Sequence, residues 1–101
     1  MKWFIQGNAD PLKGKWIVDP ADTQAVAEFG QVELDFSRGR LTYEVSLPDK
    51  KQIMLMTYRI EGDFVVTDQP SHPQPERTKF RIEGNKLTLA FGGTTGNFLR
   101  A

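Results

Sequence analysis

Alternation of apolar and polar residues with a period of two, broken only by short turns, most narrows what this 101-residue chain can fold into. In Val32-Glu33-Leu34-Asp35-Phe36 the apolar side chains point one way and the acids the other. Leu41-Thr42-Tyr43-Glu44-Val45-Ser46-Leu47, Phe80-Arg81-Ile82-Glu83 and Leu87-Thr88-Leu89-Ala90-Phe91 repeat the pattern. Successive side chains of a strand face opposite ways, so each run has one dry and one wet face. The breaks Ser37-Arg38-Gly39-Arg40, Glu61-Gly62-Asp63 and Glu83-Gly84-Asn85-Lys86 each hold a glycine where a tight reversal needs positive φ. Pro48-Asp49-Lys50 makes a further turn. Connections this short join antiparallel neighbours only, because a parallel crossover needs about a dozen residues or more.

The pattern predicts an all-β, eight-stranded antiparallel meander that closes into a barrel. The strands fall near residues 13–19, 31–37, 40–47, 51–60, 64–68, 78–83, 86–91 and 96–100. Residues 1–101 form one domain, with 1–12 as an N-terminal extension. Two connections are longer. Asp19-Pro20-Ala21-Asp22 followed by helix formers predicts a two-turn helix capped by Asp19, with Pro20 in its first turn. Residues 68–77 hold three prolines and read as an extended loop.

One strand departs from the pattern. Lys51-Gln52-Ile53-Met54-Leu55-Met56-Thr57-Tyr58-Arg59-Ile60 is apolar on both faces through its middle. Arg59 belongs outside, which by alternation puts Ile53 and Leu55 outside as well. Two coverings suit them: the short helix, packing through Ala25 or Val26, or a second copy of the chain, since contiguous exposed aliphatics mark interfaces. The helix is the preferred covering here.

Charge and composition restrict the functions available. Thirteen basic residues balance thirteen acidic ones, so no long-range field draws in nucleic acid or an anionic membrane. The absence of cysteine removes thiolate metal sites, thiol nucleophiles and disulfides. The apolar run at Trp3-Phe4-Ile5 is too short for a secretory core or a membrane span. The chain as given therefore reads as cytoplasmic, and as secreted or periplasmic if a signal has been removed.

No catalytic constellation emerges. His72 is the single histidine and has no histidine or cysteine companion for a metal or nucleophile site, so it reads as a loop residue. Asp10, Asp19, Asp22 and Asp68 could meet at a barrel mouth, although turns and caps select Asp for backbone reasons alone. Gly92-Gly93-Thr94-Thr95-Gly96 lacks the lysine and helix of a phosphate loop and reads as a hairpin turn. Neither a metal nor a cofactor is expected, and the chain is not expected to be an enzyme. The candidate binding residues are Phe36, Tyr43, Met54, Met56 and Tyr58, all on inward positions. Thioethers fit varied apolar shapes, and a buried phenol needs a hydrogen-bond partner.

Gly14-Lys15-Trp16 opens the first strand, and Phe98-Leu99-Arg100 closes the last. With eight strands and a short helical insert, this resembles the small bacterial lipocalin-like (calycin-type) barrel domains. The resemblance implies that Trp16 plugs the barrel floor, that Arg100 packs across its ring, and that Gly14 belongs to the same barrel-closing group. It also implies binding of a small apolar or amphipathic ligand at the open end. The alternative is a protein-interaction module with a filled interior, either a homodimer through Ile53 and Leu55 or an inhibitor acting through Met1 to Leu12.

Overall fold

The computed structural model describes residues 10–69, 74–91 and 93–101. Eight strands run in chain order: β1 (Gly14–Val18), β2 (Gln31–Ser37), β3 (Arg40–Ser46), β4 (Lys51–Glu61), β5 (Phe64–Asp68), β6 (Glu76–Glu83), β7 (Lys86–Phe91) and β8 (Thr94–Arg100). Each pairs antiparallel with the next, and β8 returns to pair with β1, closing the barrel. The alternation seen in the sequence sets the two faces. Val32, Leu34 and Phe36 of β2 are buried, while Glu33 and Asp35 between them are not.

The barrel has two unlike ends. At the floor lie the β2–β3, β4–β5 and β6–β7 hairpins, the start of β1 and the end of β8. Its core is Leu12, Trp16, Phe36, Leu87 and Phe98, the largest fully buried side chains. At the other end β3 and β4 run on together. They stay paired from Arg40↔Thr57 to Ser46↔Lys51, whereas β5 pairs with β4 only from Thr57 to Glu61. Among the described residues, the upper half of β4 therefore has a neighbouring strand on one side only. Phe80, Ile82, Val45, Tyr43 and Met56 are partly buried against the core, and Met54 retains 43% of its exposure. The side chain of Phe91, another expected core residue, lies outside those described.

The helix differs from expectation in both start and position. α1 spans Thr23–Phe29, and its cap is Asp22, whose Oδ1 accepts from the Ala25 N–H at 3.1 Å. Asp19 and Pro20 instead build the turn before it. The Asp19 carbonyl accepts from the Asp22 N–H at 3.0 Å, and its carboxylate accepts from the Ala21 N–H at 2.9 Å. Proline as the second residue of a turn is as well placed as in a first helical turn. The helix ends at Gly30 (φ 73°), whose N–H donates to the Val26 carbonyl.

Nor does the helix cover Ile53 and Leu55, which are 57% and 67% exposed. It lies against β8, across the barrel from β4. Two residues of β8 hold it there. A Cβ at Gly96 would stand 2.9 Å from the Phe29 ring, so only glycine leaves room for that ring. Asn97 gives both its backbone N–H (3.0 Å) and its Nδ2 (2.9 Å) to the Asp22 carboxylate.

Outside the barrel, Val66 is buried although its pleat position faces outward. Its cross-strand neighbours are Arg59 and Arg77, both ion-paired to Glu61, at 2.7 and 2.9 Å. Arg77 also lies 4.6 Å from the centre of the Phe64 ring. Arginine stems can cover apolar surface while their heads stay in water. The two guanidinium groups, Arg59 foremost, hold the Glu61 carboxyl below its ordinary pKa.

Candidate functional site

The floor is a closed assembly. The indole N–H of Trp16 donates to the Leu12 carbonyl at 2.9 Å, and the Arg100 guanidinium lies 4.1 Å from the ring centre. The same guanidinium donates to the carbonyls of Lys13 (3.0 Å) and Pro11 (3.4 Å), tying the entering chain to the last strand. Gly14 sits at φ 116°, and a Cβ there would approach Arg100 Nη1 to 3.2 Å. Both its conformation and its space thus favour glycine. Asp10 completes the group: one carboxylate oxygen accepts from the Leu12 N–H at 3.0 Å and the other from the Tyr58 hydroxyl. The Tyr58 ring meets Phe36 edge-on, with centroids 5.0 Å apart. Burial first, then the bond to Asp10, pushes the Tyr58 hydroxyl pKa well up.

Above this floor is an open cavity of about 220 Å³. Leu34, Phe36, Leu41, Val65 and Leu89 supply its apolar base, and Tyr43, Met54 and Met56 one wall. Thr67, Gln69, Glu76 and Thr78 form the opposite wall, where β5 ends and β6 begins. Burial raises the Tyr43 pKa, so the hydroxyl stays protonated and able to donate. Such a site accepts an apolar body against the methionines and offers hydroxyl, amide and carboxylate groups on its polar wall.

Of the five candidate binding residues, the structure brings Phe36, Tyr43, Met54 and Met56 to this cavity. Tyr58 is not among the lining residues, and Asp10 occupies its hydroxyl. Sequence reasoning passed over Thr67, Gln69, Glu76 and Thr78. Part of the signal was present: Thr67 follows Val65 on the inward face, and Glu76 and Thr78 precede Phe80 and Ile82 on theirs. Polar residues on inward positions of otherwise apolar strands mark a wet stretch of interior.

The helix does not line this cavity. Val26 and Pro20 instead border a separate open groove of about 400 Å³ on the outer face, with Ile17, Gln31, Glu33, Glu44 and Ser46. Its two carboxylates are ion-paired to Lys15 and Lys51 at 3.7 and 3.4 Å.

The four aspartates do not gather. Asp10 belongs to the floor, Asp19 and Asp22 to the turn and cap of α1, and Asp68 to the end of β5. The Ala25 N–H, and with it Asn97, holds the Asp22 carboxyl below its ordinary pKa. No cluster of three or more metal-ligating side chains occurs among the described residues. Nor is any helix among them long and apolar enough to cross a membrane. His72 and Gly92 lie outside the described residues, as does 1–9 of the segment considered for inhibition. Within that segment Leu12 is fully buried. No protein-family model, curated protein or solved structure matches this chain. Fold and geometry alone therefore place it as a closed, eight-stranded antiparallel β-barrel.

Proposed function

We propose that this barrel is a non-enzymatic binding module for a small apolar or amphipathic ligand. The carrying observation is the cavity of about 220 Å³ above a sealed floor, with methionines on one wall and polar groups on the other. Its size limits the ligand. An apolar cavity of ~150 Å³ takes benzene, and drug-sized ligands need upward of ~300 Å³. The volume here suits a single substituted ring or a short-chain amphiphile, its body against Met54, Met56 and Leu34. A polar head then meets Tyr43, Thr67 or Thr78, and Glu76 favours a neutral or cationic one. The packing of Arg100 on Trp16 beside Gly14 supports kinship with lipocalin-like domains, and that kinship favours binding over catalysis.

Native mass spectrometry of protein purified gently from its own host tests this reading. Excess mass that disappears on denaturation, and is reduced in Met56→Gln, supports it. A bare mass, together with no chemical-shift change at Tyr43 or Met56 on titration with small aromatic alcohols, overturns it.

A second reading, protein interaction through the outward face of β4, is favoured by one specific observation. Ile53 and Leu55 together expose an aliphatic surface that no other element of the chain covers among the described residues.

A further inference from the structure

Among the described residues, the upper half of β4 is unpaired along one backbone edge as well as exposed through its side chains. Tyr58 gives its N–H to the Gly39 carbonyl on the β3 side at 2.8 Å. Along an antiparallel strand successive residues turn their N–H and C=O groups to opposite sides. Met54 and Met56 therefore turn theirs toward β3, and Lys51, Ile53 and Leu55 turn theirs away. At Thr57 and beyond, β5 occupies that outer side; from Lys51 to Met56 no strand does among those described. Natural edge strands are usually protected by charges, prolines, bulges or a covering element. This one carries a single charge, Lys51, at its tip, then Gln52 and, from Ile53 to Met56, apolar residues on both faces.

We propose that this edge pairs with the same edge of a second copy, antiparallel about a two-fold axis through Ile53. The inference rests on the interaction reading and is independent of ligand binding. Three observations select a second copy over another occupant. The available groups suit the register: with Ile53 opposite its counterpart, Lys51 falls opposite Leu55, and all three residues turn N–H and C=O groups to a side where no described strand pairs with them. The faces agree, because directly opposed residues share a face, so Ile53 and Leu55 of both chains form one outer aliphatic strip.

The charges also complement each other. The incoming strand continues the row that β5 leaves, so its Lys51, ion-paired to its own Glu44 at 3.4 Å, arrives on the same face as the exposed Asp68, two positions along. An interface of this length is smaller than the standard ~800 Å² per partner, so the dimer should be weak.

The register supplies the test. Leu55→Lys and Leu55→Glu remove the same apolar contact from an exposed site, but set opposite charges against Lys51 of the other chain, twice per dimer. Sedimentation velocity of the full chain, from low micromolar to near-millimolar concentration, should show the mass rising from 11.5 kDa toward twice that value. The Glu variant should dimerise at least about tenfold more tightly than the Lys variant, with near-ultraviolet circular dichroism confirming that both fold. A dimer weakened equally by both substitutions overturns edge pairing while leaving the interaction reading standing. A chain that stays monomeric throughout overturns both. Uptake of unrelated extended peptides by such a monomer would assign the edge to a different partner.

Discussion

The floor and the mouth of this barrel both carry apolar residues and put them to opposite uses. At the floor, Trp16 and Phe36 are enclosed, Arg100 ties the chain's entry to its last strand, and Asp10 ties it to β4 through Tyr58. At the mouth, Met54 keeps 43% of its exposure and Leu55 keeps 67%, although both lie mid-strand. Strand pairing makes the difference. At the floor every strand has two neighbours, while above Thr57 β4 outruns β5 and has no second neighbouring strand among the described residues. Stability and availability are thereby assigned to different ends, as expected where binding surfaces come from the less stable part of a molecule.

Substitutions at the two ends should differ sharply in cost. Trp16→Ala removes the floor plug and should lower unfolding free energy by about 4 kcal/mol in urea titration. A loss under about 1 kcal/mol would mean that the floor is not the stable end. Tyr58→Phe should cost about 2 kcal/mol, because it strips the Asp10 carboxylate of a donor.

The same substitution should alter the alkaline limb of the stability curve. The folded state holds the Tyr58 proton above the ordinary value of 10.0, so the unfolded chain releases it first. The stabilisation is complete below that value and is lost as pH rises above it. Wild type should therefore lose stability more steeply than Tyr58→Phe above pH 10, by chemical denaturation at a series of pH values.

Arg100→Ala should cost about 1.5 kcal/mol through the lost ring contact and carbonyl bonds, and Arg100→Lys should recover only part of it. Met54→Ala, at the mouth, should cost less than about 1 kcal/mol, since a half-exposed side chain loses little on truncation. A loss as large as that of Arg100→Ala would mean that Met54 is covered in solution.

Most of the barrel was legible because alternation and turn glycines are local signals. The eight strands, their antiparallel order and the inward placement of Leu34, Phe36, Leu87 and Leu89 follow from them. The packing of Arg100 on Trp16 followed from a family resemblance, and 4.1 Å separates guanidinium carbon and ring centre. What escaped depended on distance in the chain. Asp22 and Asn97 are 75 residues apart, and that contact carries α1 to β8 and away from Ile53. Asp10 and Tyr58 are 48 apart, and their bond engages a phenol that alternation alone offered as a ligand contact. The polar wall at Glu76 and Thr78 was hidden differently. Its strand starts at Glu76, right after the proline-rich stretch, so Glu76 read as loop, and Thr78 stood at the very start of the expected strand.

Amide hydrogen exchange by NMR, at a dilution that keeps the chain monomeric, tests the division into sealed floor and open mouth most directly. The amides of Trp16, Leu34, Leu89 and Phe98 should exchange only through global unfolding. Those of Ile53 and Leu55 should exchange orders of magnitude faster, with Met54 slower than either because its N–H faces β3. Uniform protection around the barrel, with Ile53 and Leu55 as slow as Trp16, would contradict the account.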